Sequence, residues 1–357
     1  MIKYIGSKRL LVPLLVETIG RVPGVRTVAD LFSGTSRVGH ALKRAGYRVL
    51  ANDHNAYAET LARCYVQTDL EEVRDDAARL IAELGRLPGR PGYFTATFCE
   101  RARFFQPKNG ARIDAIREAI ARKGLSPPLE AVLLVSLMEA ADRVDSTTGV
   151  QMAYLKRWAP RASNDLELRM PDVLPRGVRG RCRAYGLEAL AAARTLRADV
   201  AYLDPPYNQH SYRGNYHIWE TLVRWDQPEV YGTACKRVDC RDLRSPFNSR
   251  PRFKETLAAL IAAMRARVII LSFSDEGYIT RPEVEALLGR HGHVAVIERD
   301  HKRYVGAQIG IYNPRGEKVG KVGRLRNRER IYVCSERMSD LPGRPGSASS
   351  GRLSPLS

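Results

Sequence analysis

VADLFSGTSRVGHAL, residues 28–42, falls into three pieces. The apolar run from Arg26 to Phe32 has the length of a short buried strand, and the residues through about Ala45 continue as a helix. Between them Phe32, Ser33, Gly34, Thr35 and Ser36 make a turn dominated by small side chains. Small residues let a ligand approach the backbone, and the helix start offers it free N–H groups. Arg48–Asn52 is a second strand. Strand, helix, strand predicts a parallel sheet with right-handed crossovers, so the expected class is α/β. The full G-x-G-x-x-G pattern is absent, which weighs against a dinucleotide and is compatible with a single nucleoside. Asp53 lies 19 residues beyond Gly34, where Rossmann-like folds place an acid on ribose hydroxyls. An ordinary strand–helix turn with Asp53 or Asn52 as a cap is the bland alternative.

Strand–helix alternation also brackets the rest of the chain. Ser7–Ile19 has helical spacing, and from about Cys182 the alternation resumes. Val200–Leu203, Val268–Phe273, Val294–Ile297 and Arg330–Val333 read as strands, Phe253–Arg265 and Pro282–His291 as helices. Residues 70–181 differ. Amphipathic patterns at Leu70–Leu84, Tyr93–Phe105, Ile113–Ala121 and Leu129–Arg143 are separated by Pro-rich joints, and an irregular polar stretch follows from 144. The expected organisation is a catalytic domain from 1–69 and 182–335, a mainly helical insertion at 70–181, and a disordered Pro/Gly/Ser tail at 336–357.

The chain has 357 residues, with 58 Lys+Arg against 39 Asp+Glu, a formal net charge of +19. That excess predicts attraction to polyanions, nucleic acid first among them, with an Arg-rich coding bias as the bland alternative. No run approaches the roughly 18 apolar residues that span a bilayer, and MIKYIGSKRL lacks a signal-peptide core, so a cytoplasmic protein with no membrane partner is expected. The six cysteines form no CxxC pair, and Cys235 and Cys240 have no His at zinc spacing. Free thiols and no metal site are expected.

Asp204-Pro205-Pro206-Tyr207 ends the strand at Leu203. The four residues suit methylation of an exocyclic amine on a purine. The amine lone pair is delocalised into the ring, so it is a poor nucleophile. Acceptors aimed at its two N–H bonds draw the nitrogen toward tetrahedral geometry and turn the lone pair outward. Asp204 supplies one acceptor and the Pro205 carbonyl the other, since Pro205-Pro206 fixes that carbonyl and brings no competing N–H. Tyr207 can stack on the base. A target inside a duplex must be flipped out to reach them.

With these residues in hand the chain resembles an N6-adenine DNA methyltransferase of the Dam-like class, over roughly residues 1–335 and with motifs in the alpha-group order. Lys3-Tyr4-Ile5-Gly6-Ser7-Lys8 is similar to the family's cofactor-contacting motif, which implies Tyr4, Gly6 and Lys8. Asp30 to Ser36 resembles its S-adenosylmethionine loop, Asp53 its ribose-binding acid, and Asp204 to Tyr207 its catalytic motif. Asn215 to Thr221 and Leu271 to Gly277 resemble later motifs. The resemblance implies a Rossmann-like methyltransferase sheet, S-adenosylmethionine as cofactor, double-stranded DNA as partner, and target recognition by the insertion. A cognate restriction endonuclease and a monomeric state are further expectations. Members often carry an acid against the cofactor adenine before the catalytic motif; here Leu187 takes that slot and Glu188 follows.

Candidate DNA contacts are Lys108, Asn109 and Arg112 at a helix entrance, Lys156 and Arg157 among aromatics, Tyr212 after the catalytic turn, and Lys302 and Arg303 before a basic segment. A solvated basic face explains any one cluster equally well. Two rivals stay open at this point: a same-fold enzyme acting on RNA or on cytosine N4, and a non-catalytic DNA-binding subunit with a degenerate methyltransferase fold.

Overall fold

A computed structural model describes residues 1–6, 8–209, 211–242, 245–302 and 326–342, without the side chains of 300–302, 326 and 327. Seven strands form one sheet: β1 (Thr27–Asp30), β2 (Arg48–Asn52), β3 (Arg183–Tyr185), β4 (Arg197–Leu203), β5 (Arg265–Ser274), β6 (His293–Lys302) and β7 (Arg326–Ser335). Their order across the sheet is β3-β2-β1-β4-β5-β7-β6. The first five run parallel, and β7 lies antiparallel between β5 and β6. Val28 of β1 sits opposite both Val49 and Val200, so the early strand found in the sequence is the centre of the sheet.

Both faces of the sheet are buried, which is why its strands are apolar runs rather than alternating ones. Along β5, Val268 and Ile270 join a core on one face, while Ile269, Leu271 and Phe273 join the core on the other. Helices Val12–Gly20 and Arg37–Arg44 supply Leu15, Ile19, Val38 and Leu42 to the first face. Helices Arg250–Ala263 and Arg281–Leu288 supply Phe253, Leu257, Val284 and Leu288 to the second. Each such side chain contributes roughly 1.5–3 kcal/mol by leaving water.

The helical region between β2 and β3 centres on Pro127–Arg143. Proline at its start and Arg143 in its last turn suit a helix, and apolar residues occur on every face, so it is buried all round. Its core reaches past the expected boundaries of 70 and 181. It takes in Tyr57, Leu61 and Tyr65 before them and Tyr216, Ile218, Trp219 and Leu222 after them. The long pattern at Tyr93–Phe105 is not one α-helix. A turn at Tyr93–Thr95 widens into a π-helix at Ala96–Arg101 and stops, because Ala102 donates to the Thr97 carbonyl five residues back and the chain then turns away.

Asp114, on helix Pro107–Arg122, ties that turn down. Its buried carboxylate accepts from the backbone N–H groups of Gly92, Phe94 and Thr95, each at 2.9 Å, and from the Thr95 hydroxyl at 2.6 Å. Asp114→Ala leaves these donors buried and unpaired, and is expected to cost on the order of 3 kcal/mol. Denaturant unfolding checks this, and a loss under about 1 kcal/mol would show that water replaces the carboxylate.

Candidate active site

β1, β2 and β4 end on the same edge of the sheet because they run parallel. Ligand crevices of open α/β sheets lie at that edge. Here it carries a cavity of about 280 Å³, lined by the glycine turn, by Asp53, and by Asp204 and Pro206. Two distant motifs of the sequence thus share one chamber.

The turn itself is held by several bonds. Gly34 has φ +49°, a conformation in which glycine is unstrained, and a Cβ there would lie 3.4 Å from the Tyr4 ring. Gly34 N–H donates to Asp53 Oδ2 at 3.1 Å, and Ser33 N–H donates to the Asn52 carbonyl at 3.0 Å. Asp53 Oδ1 accepts from the backbone and side chain of Asn55. Asp53 therefore both lines the cavity and fixes the glycine turn, a second task not visible in the sequence. Phe32, Ser33 and Thr35 line the cavity; Ser36, at φ +61°, is buried behind them.

Tyr4 and Gly6 also line the chamber, with Tyr4 stacked between Tyr212 and Tyr216 at centroid distances of 5.2 and 4.5 Å. Tyr212 is a wall of the cavity, packed on Tyr4, where a flipped base could meet it. Gly6, at φ +73°, leaves room for the Tyr212 hydroxyl, which a Cβ would meet at 3.0 Å.

Asp204 follows β4 directly. Burial pushes its carboxyl up to about 6, with Glu329 adding to the rise and Lys8 opposing it. Lys8 Nζ lies 3.2 Å from Asp204 Oδ1 and 5.7 Å from the Tyr207 ring centroid. Burial lowers the Lys8 ammonium, but the neighbouring charges of Asp204, Tyr207 and Glu329 hold it above its ordinary range. Lys8 lines the cavity, as the resemblance implies for a cofactor-contacting lysine, and it also pairs with the Asp204 carboxylate. Pro205 is buried, and Tyr207 packs its ring on Phe273 at 5.1 Å.

Leu187 does not meet the cavity. Its backbone pairs with the Asn52 side chain and its own side chain packs in the sheet core, whereas Glu188, the next residue, lines the chamber. The α/β turn directs alternate side chains in opposite senses, so a one-residue offset decides which reaches the ligand.

Several lining residues escaped the sequence reading as sites. Asp30 is 1 % exposed, and among the described residues no well-formed hydrogen bond reaches its carboxylate oxygens, although the Gly39 backbone N–H interacts weakly with them. Burial, reinforced by Asp204 and Asp53, pushes its carboxyl up to about 8. Arg37 and Arg213 line the same cavity with their Nε atoms unpartnered among the described residues, and Phe247 meets Phe32 edge-on at 5.4 Å. Asp30 had a signal, since it ends the strand before the glycine turn; nothing local marked Arg213 or Phe247.

Two of the expected DNA contacts are structural. Asn109 is buried, donates to the Asn164 carbonyl at 2.9 Å and accepts from Leu166 N–H at 3.0 Å, so it staples a loop rather than facing DNA. Arg112 donates to the Gly85 carbonyl at 2.8 Å. Lys108 is half exposed and pairs with Asp165 at 2.6 Å. Lys156 and Arg157 are exposed near Trp158, which carries the Arg103 guanidinium 4.8 Å from its ring centroid. Lys302 ends β6 with its side chain undescribed, and Arg303 and the basic segment through 325 lie outside the described residues, as does most of the C-terminal tail.

Among the described residues no group of three His, Cys, Asp or Glu could hold a metal ion, and no helix is long and apolar enough to cross a membrane. The cavity carries charges of both signs, with Asp30, Asp53 and Asp204 lining it together with Lys8, Arg37 and Arg213. Asp204 is already paired with Lys8, so the buried Asp30 carboxylate is the group on this wall that fits an ammonium or sulfonium. A parallel sheet closed by one antiparallel strand, with a glycine turn and DPPY on one edge, defines a Rossmann-like methyltransferase.

The model of the D12 class N6 adenine-specific DNA methyltransferase family matches residues 4–252, and the chain belongs to that family. Its activity is S-adenosylmethionine-dependent methylation of adenine in DNA. The chain is similar to type II methyltransferase M.NlaIII of Neisseria lactamica, with 29% identity over 313 residues, 84% of this chain and 92% of that protein. It is 30% identical to type II methyltransferase M.FokI of Planomicrobium okeanokoites over 312 residues, 81% of this chain but only 47% of that protein. Type II methyltransferase M.CviAII of Paramecium bursaria Chlorella virus 1 is 28% identical over 315 residues, 85% of this chain and 92% of that protein. The adenine-specific family decides against the RNA and cytosine readings and against a non-catalytic subunit.

Proposed function

We propose that the chain methylates adenine N6 within a short recognition sequence of double-stranded DNA, flipping the base against Asp204 and the Pro205 carbonyl. The observation that carries this reading is the shared chamber: the DPPY carboxylate and the glycine turn line one cavity. S-adenosylmethionine, when bound there, supplies an electrophilic methyl group on sulfur. Asp53 would hold its ribose, Phe32 and Phe247 would hold its adenine, and Asp30 would receive its ammonium, since all four line the cavity. Lys8, paired to one oxygen of Asp204, fixes the rotation of that carboxylate so that the other oxygen meets the amine. The amino proton is lost to solvent after transfer, so no general base is required. Positioning in a water-poor chamber then supplies most of the rate.

Target recognition is assigned to the helical region around 70–181, with Lys108, Lys156 and Arg157 toward phosphate. The type II names of the relatives favour a cognate restriction endonuclease, and a monomer suffices for the reaction. Single-molecule sequencing of DNA from cells expressing the chain tests the reading at once. N6-methyladenine at one short motif is expected; its absence from all DNA would refute it.

Asp53→Ala is expected to weaken cofactor binding about tenfold or more, since it removes a charged acceptor and frees the glycine turn. Calorimetric titration with S-adenosylmethionine checks this, and an unchanged affinity counts against Asp53 as a cofactor ligand.

A further inference from the structure

β7 is the antiparallel strand of the sheet, so its first residues arrive at the edge where the parallel strands end. Glu329 of β7 stands opposite Ser274, the last residue of β5, and is largely buried. Its Oε2 lies 3.3 Å from Lys8 Nζ, the ammonium that also sits 3.2 Å from Asp204 Oδ1. Lys8 is only 8 % exposed, so its charge is balanced by these two carboxylates rather than by water.

We propose that Glu329 is a positioning residue for methyl transfer: it holds Lys8 between two carboxylates and keeps that cluster net negative. The proposal rests on the reading of Asp204 as the acceptor for the adenine amine.

As the N–C bond forms and the S–C bond breaks, positive charge passes to the adenine nitrogen. An ammonium paired with Asp204 alone cancels the charge that should meet it. A second carboxylate on the same ammonium restores a negative cluster and competes with Asp204 for Lys8, leaving Asp204 a stronger acceptor. Glu329 acts only through Lys8 and Asp204 and is not placed to touch the base.

Glu329→Gln keeps the shape and removes the charge. The readout is single-turnover transfer of labelled methyl from S-adenosylmethionine to unmethylated plasmid DNA across pH, using the full chain. Asp204 faces Lys8 and Glu329, and Asp30, Tyr202, Tyr207 and Tyr212 also feel its charge. Glu329 is one of the groups that raise the Asp204 carboxyl, so its neutralisation is expected to move the acid limb to lower pH. The plateau rate is expected to fall about tenfold, with KM for the cofactor within about twofold of the parent. An acid limb that stays in place, or a loss confined to KM, overturns the proposal. Glu329→Asp keeps the charge and is expected to hold the parent limb with a smaller loss of rate; a loss as large as that of Gln also overturns it. Asp204→Asn in parallel tests the reading beneath. If it keeps the parent limb, Asp204 is not the titrating acceptor. If it loses that limb while Glu329→Gln leaves it unmoved, the role of Glu329 alone fails.

Discussion

Asp204→Ala is expected to lower methyl transfer by about 10³-fold or more while cofactor and DNA binding are largely retained. In the proposed mechanism the carboxylate is the acceptor for the amine, and among the described residues no other carboxylate on the chamber wall stands at the end of β4 to replace it. Lys8 keeps Glu329 as a partner in the variant, so no buried ammonium is stranded and folding is preserved. Single-turnover methyl incorporation and a separate DNA-binding titration separate the two effects. Activity within about tenfold of the parent would contradict the role. The pH dependence has a definite sign. Transfer needs the ionised carboxylate, and burial beside Lys8 and Glu329 places its carboxyl at about 6. The rate is therefore expected to rise with pH through about 6 and to fall away below it. A profile flat across that window would remove Asp204 from the titrating step.

Asp30→Asn is expected to weaken S-adenosylmethionine about 10- to 100-fold and, unusually for a site substitution, to stabilise the unliganded protein. The two effects have one cause. Asp30 is buried, no well-formed hydrogen bond reaches it among the described residues beyond a weak interaction with the Gly39 N–H, and its carboxyl rises from 3.8 to about 8. Between those values the folded chain holds a proton that the unfolded chain has released. Stability contributed by this group therefore falls as pH rises from about 4 to about 8 and falls no further above it. An amide of the same shape has no charge to desolvate, so the stabilising effect is greatest at about pH 8, where it reaches the order of a few kcal/mol. A bound ammonium offsets the same cost in the parent protein. Thermal melts of parent and variant at several pH values, each with and without cofactor, measure both terms. A variant that melts lower than the parent at high pH, or that binds cofactor equally well, defeats this account.

Gly34 and Asp204 declared themselves because each follows an apolar strand with residues that a plain turn does not need. The helical patterns at Leu70–Leu84 and Leu129–Arg143 correspond to helices Leu70–Gly85 and Pro127–Arg143, since long periodic segments carry a strong signal. The Tyr93–Phe105 pattern misled because a π-turn keeps apolar spacing nearly helical while ending the helix. Asn109 misled because an amide at a helix entrance has the same appearance whether it meets a base edge or the Asn164 carbonyl.

The sequence by itself marked the central strands, the glycine turn, the DPPY turn and the class of chemistry, because strand periodicity and turn composition are local properties of the chain, whereas the antiparallel strand within the sheet was not read from it. Only the tertiary structure decided which charges meet. Lys8, Asp204 and Glu329 are far apart along the chain, and they converge because parallel strands end where an antiparallel one begins. The same folding buries Asp30 with no well-formed hydrogen bond among the described residues, and burial rather than identity is what changes the energy of a carboxylate.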